Sequence, residues 1–325
     1  MSKGLKAGVL DWFYAHYQRT DESPGKGFDA LLTMTGWAIG SDRAAGIQRR
    51  LSTLRLPLDP LKMDDPPVIE LLIVTTRKDF PTLGACVAFA LANSRNPVSR
   101  VVVVTPQRDV EGARRIVAPM SESVPLEVLD ESTLLDHETA TDLKRHFGDR
   151  FGWILQQFLC LAYVSASSAA GVLILDSDTW LIRPRLFLGD GIQILTPSLE
   201  RHPPYYQFLR GLSPIYGAEQ LTFVSHHMLW QPDSLRLILE RVCDGSLTEL
   251  ARAVIARADM REPSPLCVKY EFYAHGLLAL KPESVALAKW ANSSAPRSQM
   301  RGPDPTMAIR QRYAKFASVS LHDFI

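Results

Sequence analysis

The alternation of short apolar runs with amphipathic segments after residue 67 is the feature that most limits how this chain can fold. The runs, such as VIELLIVT and VVVVT, are rich in β-branched residues and are followed by polar or turn-forming residues. This pattern is typical of buried strands that are followed by helices. It predicts strands at 68–75, 100–105 and 126–129 and helices at 81–94 and 110–117. Such alternation predicts an α/β domain whose sheet carries helices on both faces.

The next unit of the alternation ends in a pair of acidic residues. A helix predicted at 151–168 precedes the run Val172–Leu175, whose continuous apolar character suits a strand buried on both faces of a parallel or mixed sheet. Asp176 and Asp178 follow, and residues two apart in an extended chain point to the same side. Two carboxylates so placed repel each other unless a cation lies beside them, and Mg²⁺ or Mn²⁺ bridging to a diphosphate is a common solution.

Composition and charge exclude some classes of function. The 325 residues include 36 Lys and Arg against 35 Asp and Glu, a net charge of +1, so the charge balance does not call for nucleic acid as a partner. With 46% hydrophobic residues, the chain can bury a substantial core. Cys86, Cys160, Cys243 and Cys267 are far apart, and we predict that they are reduced, buried thiols of a cytoplasmic protein.

The first 66 residues are predicted to form a helical N-terminal extension that ends in a proline-rich linker, which leaves 67–325 as the main domain. The start of the chain lacks the apolar core of a secretory signal, and no transmembrane helix is predicted, so we expect a cytoplasmic location. Residues 1–20 combine aromatic side chains with basic ones. They are predicted either to pack on the body of the protein or to lie at the inner membrane as a peripheral contact.

The second half of the chain is predicted to hold strands at 191–196 and 221–225 and helices at 233–242 and 247–257. The aromatic-rich segment 201–216 indicates a loop or a short helix. The sequence contains no GxxxxGK[ST] or GxGxxG phosphate loop, no GxSxG elbow and no HExxH zinc motif. The acidic pair is the chemistry that remains, with a metal ion holding phosphate in place of a phosphate loop.

Five short motifs occur in order around and after the acidic pair: GWILQQ at 152–157, LDSDT at 175–179, SHHM at 225–228, YEFY at 270–273 and LHDF at 321–324. Together with the strand that ends in Asp-x-Asp, they resemble a bacterial family of uncharacterised proteins within the GT-A class of nucleotide-sugar glycosyltransferases. The resemblance spans about residues 68–325 and implies a GT-A-like, Rossmann-like mixed sheet with helices on both faces. It does not cover the N-terminal extension.

The resemblance implies a nucleoside-diphosphate sugar as donor, a saccharide or other hydroxyl compound as acceptor, and Mn²⁺ or Mg²⁺ as cofactor. The residues that it implies for nucleotide binding lie in the loop after the first strand and in the acidic motif: Thr75, Thr76, Arg77, Asp79, Asp176 and Ser177. Gln156 and Gln157 interrupt an apolar helix, and they are predicted either to reach this ligand or to face solvent.

The resemblance also implies where the metal is bound. Asp178 and Asp176 are the implied ligands, and a late histidine, His322, is implied to complete the site. The alternative for His322 is a frayed residue at the end of the chain. His226 and His227 are alternative ligands or acceptor contacts, although a histidine at a strand end often has a structural role.

Glu271 and Asp176 are the predicted catalytic residues. If transfer inverts the anomeric configuration, Glu271 would accept the proton of the acceptor hydroxyl, because aromatic neighbours would desolvate it and raise its basicity. In a retaining reaction Glu271 would orient the acceptor. Asp176 is implied to contact the ribose or a metal-bound water. The alternative for Glu271 is a structural carboxylate paired with Lys269 or Arg261.

Two other functions stay open at this point. Asp176-Ser177-Asp178-Thr179 at a strand end also suggests a haloacid-dehalogenase-like phosphohydrolase, in which the first aspartate is the nucleophile and the second a general acid. The third alternative is a non-catalytic protein of the same fold that binds a sugar nucleotide without turnover.

Overall fold

The computed structural model describes residues 55–198, 202–217, 221–300 and 305–322. Its strands in chain order are β1 Ile69–Val74, β2 Val98–Thr105, β3 Leu126–Asp130, β4 Val172–Leu175, β5 Thr179–Leu181, β6 Leu188–Gly189, β7 Ile192–Leu195, β8 His227–Trp230, β9 Val285–Leu287, β10 Asn292–Pro296 and β11 Ser318–His322. Its α-helices are α1 Phe80–Asn93, α2 Val110–Val117, α3 His137–Phe147, α4 Phe151–Ala166, α5 Pro203–Leu212, α6 Pro232–Cys243, α7 Leu247–Arg257, α8 Tyr270–Leu280 and α9 Pro305–Arg312. The predicted α/β class is confirmed.

The central sheet has five strands in the order β3-β2-β1-β4-β8. The pairs β3–β2, β2–β1 and β1–β4 are parallel, whereas β8 pairs antiparallel with β4. A parallel pair needs a crossover connection, and α1, α2 and the segment with α3 and α4 supply these crossovers. The sheet is therefore mixed, as the sequence predicts.

Side chains of the central strands alternate between two apolar cores, one on each face of the sheet. Leu72 and Ile174 belong to the core that includes residues of α4 and α6, while Leu71 and Leu173 belong to the core that includes residues of α1 and α2. All four side chains are fully buried. Burial of each contributes about 2 kcal/mol relative to full exposure. Helices therefore cover both faces of the sheet, as predicted.

The clearest sequence patterns gave the most accurate bounds. The strand Val172–Leu175 and the helices Val110–Val117 and Leu247–Arg257 have the predicted limits, and the long helix Phe151–Ala166 ends two residues earlier than predicted. The helix His137–Phe147 was not predicted, since only three of its side chains are buried and its apolar pattern is correspondingly weak.

The strand predicted at 221–225 is wrong. These residues form no strand, and pairing with β4 begins only at His227. The backbone N–H of Phe223 donates to the Glu271 carboxylate instead of to a neighbouring strand. His226 then turns the chain with φ +60°, so the regular extended conformation starts one residue later. Tertiary contacts of the backbone have overridden the local β propensity.

Two smaller sheets extend the domain. One has the order β10-β11-β5, with β11 antiparallel to β5, and the other has the order β6-β7-β9. Because β5 begins directly after the acidic motif, the pairing of β11 with β5 brings the end of the described chain to that motif. The backbone N–H of Leu321 donates to the backbone oxygen of Asp178 at 2.8 Å.

Residues 55–67 contain no helix and lie against the domain. The Lys289 N–H donates to the Pro57 oxygen at 2.8 Å, and Asp59 forms ion pairs with Arg95 and Arg185. The predicted extension covers residues 1–66, and its first 54 residues, including the membrane contact predicted for residues 1–20, lie outside the described residues. In the described part of the chain, no helix has both the length and the apolar character needed to cross a membrane.

The cysteine prediction is confirmed for the state of the thiols. Cys86, Cys160, Cys243 and Cys267 are all free and buried. Burial raises the pKa of the Cys160, Cys243 and Cys267 thiols to about 11, so these three groups are protonated at neutral pH.

Candidate nucleotide and metal site

The carboxyl end of the central sheet brings the acidic motif and the loop after β1 together. The chain runs from β1 to β2 on one side of β1, whereas β4 lies on the other side, so the strand order reverses between β1 and β4. In open α/β sheets, ligands bind in the crevice at such a reversal, outside the carboxyl ends of the strands. Asp79 follows β1 and the residues 176–178 follow β4, so both acidic segments lie at this reversal.

Asp176 is held by three side chains from the second half of the chain. Its Oδ1 accepts hydrogen bonds from the Lys269 ammonium at 2.6 Å and the Tyr270 hydroxyl at 2.8 Å. Its Oδ2 lies 3.1 Å from Nδ1 of His226. Burial alone would raise the pKa of Asp176, but the charge of Lys269 and the contact with His226 lower it well below its ordinary value. Asp176 is therefore an ionised carboxylate at neutral pH.

Asp178 faces the strand β11. Its Oδ2 lies 3.5 Å from Nδ1 of His322 and 3.4 Å from the Arg297 guanidinium. The ring centroid of His322 is 5.4 Å from that of His226, which contacts Asp176. His322 is a buried strand residue, so the alternative of a frayed terminus is wrong. The imidazoles of His226 and His322 thus lie beside the carboxylates of Asp176 and Asp178.

Asp79 joins the loop after β1 to the acidic motif. Its Oδ2 accepts a hydrogen bond from the Ser177 hydroxyl at 3.2 Å, and its Oδ1 pairs with the Arg297 guanidinium. The Thr82 hydroxyl lies 2.8 Å from the Asp79 backbone oxygen and 2.9 Å from that of Ser177. Arg297 consequently bridges two carboxylates, those of Asp79 and Asp178.

The backbone at His226 is strained. Its φ of +60° lies in the left-handed region, where residues other than glycine are uncommon. Its backbone oxygen accepts a hydrogen bond from the Asp176 N–H at 3.0 Å. Strain of this kind persists only where the surroundings impose it, and it clusters at functional sites. Here it accompanies the contact of the His226 imidazole with the Asp176 carboxylate.

His227, the next residue, is part of the core. It is 1% exposed, its Nδ1 lies 2.8 Å from the Ser225 oxygen, and its ring centroid is 4.0 Å from that of Trp290. Burial lowers the pKa of His227 to about 4, so its imidazole is neutral at neutral pH. The adjacent histidines therefore have different surroundings, with His226 at the acidic motif and His227 inside the protein.

Gln157 braces the segment that carries Lys269. Its side-chain oxygen accepts a hydrogen bond from the Val268 N–H at 2.9 Å, and its amide nitrogen donates to the Trp153 oxygen at 3.2 Å. Gln157 is 2% exposed, whereas Gln156 is partly exposed. Gln157 thus reaches the backbone next to a site residue, and its direct contact with a ligand stays a prediction.

Glu271 is fully buried and holds several elements together. Its Oε1 accepts hydrogen bonds from the hydroxyls of Thr222 at 2.6 Å and Tyr206 at 2.9 Å. The Phe223 N–H lies 3.2 Å from both carboxylate oxygens. Nε2 of His275 lies 3.1 Å from Oε2. These contacts account for both oxygens, and the role of Glu271 as a proton acceptor stays a prediction.

The prediction that Glu271 would pair with Lys269 or Arg261 is wrong. Lys269 pairs with Asp176, and Arg261 pairs with Asp259. The hydrogen-bond partners of Glu271 are two hydroxyl groups and a backbone N–H from residues distant in sequence, and Nε2 of His275 lies close to it without forming a hydrogen bond.

The remaining predicted nucleotide contacts lie at the end of β1. Thr75 is buried, with its hydroxyl 3.4 Å from the Thr76 oxygen, while Thr76 and Arg77 are exposed. Arg77 begins a short 3₁₀ helix that ends at Asp79. These residues therefore border the crevice beside Asp79, and their contacts with a base or ribose stay predictions.

Sequence reasoning missed Lys269, Tyr270 and Arg297 as site residues. The sequence does mark Lys269, which is the single basic residue in the mostly apolar run LCVKYEFYA. A lysine buried in such a run requires a charged partner. Tyr270 belongs to the YEFY motif, and nothing in that motif indicates that its hydroxyl contacts Asp176. Arg297 lies in a polar segment far from the acidic motif, and nothing in its neighbourhood marks it.

The acidic motif offers part of a metal site. Among the residues that the structure describes, no group of three or more His, Cys, Asp or Glu side chains is arranged to hold a metal ion. Asp178 Oδ2 and His322 Nδ1 nevertheless face each other at 3.5 Å. Magnesium and similar cations at phosphate sites use only one or two carboxylates, with phosphate and water completing the shell. Asp178 and His322 therefore fit a cation that is shared with a phosphate ligand. Both carboxylate oxygens of Asp176 have protein partners, so the role of Asp176 as a metal ligand stays a prediction.

Comparison with protein families matches residues 88–194 to DUF6492, a family of unknown function. The match covers less than half of the chain. No curated protein matches the sequence.

Solved structures of two glycosyltransferases are similar to this chain. The apo form of mouse xyloside xylosyltransferase 1 is 14% identical, with 78% of this chain and 97% of that chain covered and a TM-score of 0.45. The apo structure of the bifunctional glycosyltransferase WbbM is 11% identical, with 81% of this chain and 47% of that chain covered and a TM-score of 0.43. With both TM-scores below 0.5, neither likeness by itself assigns a fold or a function.

Proposed function

We propose that the protein is a metal-dependent glycosyltransferase that takes a sugar from a nucleoside-diphosphate donor and transfers it to a hydroxyl acceptor. The observation that carries this proposal is the meeting of Asp79, Asp176 and Asp178 at the strand-order reversal of the central sheet. A nucleotide fits a crevice of this kind. The carboxylates mark the place where a cation would hold the diphosphate.

The charges at this edge favour the binding of a cation. Asp79, Asp176 and Asp178 face two permanent cations, Lys269 and Arg297. These five groups carry one excess negative charge. Carboxylates crowded in this way repel each other, and an added cation relieves the repulsion.

Asp178 and His322 are the residues that would hold the metal. When bound, a divalent cation supplies positive charge to the leaving diphosphate. Lys269 keeps Asp176 ionised and fixes its orientation, and Arg297 fixes Asp79 relative to Asp178. The planar guanidinium of Arg297 also suits two-pronged recognition of phosphate oxygens.

The phosphohydrolase alternative requires Asp176 as the nucleophile. Lys269, Tyr270 and His226 are all within hydrogen-bonding distance of its two oxygens. Three such partners reduce the reactivity of the carboxylate lone pairs, so this arrangement favours an orienting role for Asp176. Hydrolysis of a phosphomonoester that depends on Asp176 would support the alternative.

The proposal is tested by thermal unfolding of the full chain with a panel of UDP, GDP, CDP and dTDP sugars, with and without Mn²⁺. We expect one nucleotide to stabilise the protein in a Mn²⁺-dependent manner, by about 3 kcal/mol at a hundredfold excess over Kd. Asp178→Ala should abolish this stabilisation. Release of nucleoside diphosphate then separates a transferase from a protein that only binds the donor.

Asp233→Ala is the matched control, because this aspartate lies in the exposed first turn of α6. It should keep the full stabilisation. A panel without any stabilising nucleotide would contradict the proposal, and so would a Mn²⁺-dependent effect that Asp178→Ala leaves intact.

A further inference from the structure

We propose that an apolar cavity next to Glu271 binds an aromatic or similarly compact apolar group of the acceptor. The inference rests on the proposed function and adds the chemical class of the second substrate. The cavity has a volume of about 350 Å³ and lies between α5, residues from 215–217 and 221–223, and the C-terminal half of α8. Its wall includes Tyr206, Ile215, Tyr216, Phe223 and Leu278.

The hydroxyl groups of two tyrosines in the cavity wall are directed at the protein. The Tyr206 hydroxyl donates to Glu271 at 2.9 Å, and the Tyr216 hydroxyl donates to the Phe272 oxygen at 3.3 Å. Their rings, together with Phe223, present carbon surface to the cavity. A ligand that fills this space therefore gains chiefly by burying apolar surface.

A histidine, His275, lies in the wall among these rings. Its ring contacts those of Tyr206 and Phe223 edge to face, with centroid distances of 5.7 and 5.4 Å. Its Nε2 lies 3.1 Å from the Glu271 carboxylate, which is inside the protein and fully buried. Carbon atoms supply most of the surface of the cavity wall, and polar atoms supply the rest.

Two chain segments connect this cavity with the acidic edge of the sheet. Helix α8 begins at Tyr270, whose hydroxyl donates to Asp176, and His275 follows five residues later, about 7.5 Å along the helix axis. Phe223 precedes His226, the second partner of Asp176, by three residues. The cavity is therefore joined to the proposed transfer site through α8 and through residues 223–226, and an acceptor whose sugar lies at the acidic edge is the glycoside whose aglycone the cavity would receive.

The size of the cavity restricts the ligand. A volume of about 350 Å³ is near the lower end of the range of small-molecule sites. It accommodates a group of one or two rings. A compact aryl group attached to a sugar fits both the size and the aromatic lining.

The test uses the uncharged fluorescent probe N-phenyl-1-naphthylamine with the full chain. We expect saturable binding that Gly217→Phe and Ala279→Phe each weaken at least about tenfold, since both positions border the cavity. Gly211→Phe is the matched control. A Cβ atom added at Gly217 or Gly211 would meet no heavy atom within 4 Å, but Gly211 lies outside the cavity wall.

Competition identifies the apolar group as the recognised part of the acceptor. p-Nitrophenyl glycosides should displace the probe, and the corresponding methyl glycosides should not. Absence of saturable binding, equal binding by the cavity variants and the wild type, or equal displacement by methyl glycosides would overturn the inference.

The donor panel is measured on the same proteins to separate the two proposals. A nucleotide-sugar effect that persists while the probe fails to bind rejects the cavity proposal alone. It also shows that the cavity variants are folded. If no protein of the set responds to a nucleotide sugar, the proposed function fails and the acceptor role of the cavity fails with it, whatever the probe does.

Discussion

Polar clusters lie at both ends of the central sheet, and they differ in how many of their carboxylates are withdrawn from solvent. At the amino end, Glu70 accepts hydrogen bonds from Arg100 at 2.7 and 3.2 Å, from the Tyr163 hydroxyl at 2.8 Å and from the Ser167 hydroxyl at 3.2 Å. Arg100 also bonds Glu127 at 3.1 Å. Glu127 is half-exposed, so Glu70 is the one carboxylate of this cluster that is withdrawn from solvent. It is surrounded by donors, which is the arrangement expected of a structural network.

At the carboxyl end, three carboxylates are largely withdrawn from solvent, and they share two permanent cations. The backbone of His226 is strained there, and two histidine rings lie beside the acidic motif. Such an arrangement costs stability, and proteins keep it where a ligand repays the cost. The comparison indicates that the amino end stabilises the fold, whereas the carboxyl end holds charge for a ligand.

The largest effect is expected at Glu70. Glu70→Ala leaves Arg100 and the Tyr163 hydroxyl without their common acceptor, so the free energy of unfolding should fall by about 4 kcal/mol in urea titrations. Glu127→Ala removes a half-exposed partner of the same arginine and should cost less than about 1 kcal/mol. Equal losses of stability for the two variants would contradict the interpretation of Glu70 as the buried centre of the network at the amino end.

The next effect concerns pH and the buried His227. Its pKa is about 4 in the folded protein against about 6.5 in the unfolded chain, so between these values only the unfolded state binds a proton. The free energy of unfolding should therefore decrease by about 3 kcal/mol as the pH falls from 6.5 to 4. His227→Gln should remove this slope, and the exposed control His137→Gln should retain it. Urea titrations at several pH values measure both, and a slope unchanged in His227→Gln would contradict the assignment.

A smaller loss is expected from Gln157→Leu. The Val268 N–H loses its acceptor, which should cost about 2 kcal/mol and loosen the segment that carries Lys269. The partly exposed neighbour provides the control, and Gln156→Leu should change the stability by less than about 0.5 kcal/mol. If both variants unfold at the same urea concentration, Gln157 is not the brace that the contacts indicate.

The smallest effect, and one of opposite sign, is expected for Asp178→Asn. Removing one of three crowded carboxylates should leave the stability unchanged or raise it by up to about 1 kcal/mol. Urea unfolding checks the sign. A loss of more than about 2 kcal/mol would make the carboxyl end a structural network like that of Glu70, and the distinction between the two ends would disappear.

The parts of the fold that could be predicted are those that local sequence patterns determine. Val172–Leu175 is fully buried and continuous in its apolar character, and Leu247–Arg257 shows helical periodicity. The segment 221–225 has the same β propensity, yet its backbone bonds to Glu271 and its end turns at His226. Such contacts join distant residues, and local propensity contains no information about them.

The candidate site follows the same division. Asp176 and Asp178 could be predicted because both acids follow one strand and are neighbours in sequence. Lys269 and Arg297 come from segments about 90 and 120 residues further along, and only the folded chain brings them to the acids. Sequence patterns therefore predicted the acidic half of the site, and the basic half depends on tertiary packing.

The central claim, that the carboxyl end of the sheet binds a nucleoside diphosphate through a cation, is tested most directly by electron paramagnetic resonance of Mn²⁺. The full chain is titrated with Mn²⁺ with and without the nucleoside diphosphate selected by the thermal panel. We predict tight Mn²⁺ binding only when the nucleotide is present, weakened at least about tenfold by Asp178→Asn and by His322→Gln and unchanged by Asp233→Asn. Nucleotide binding that needs no Mn²⁺, or Mn²⁺ binding that survives both site variants, would contradict the claim.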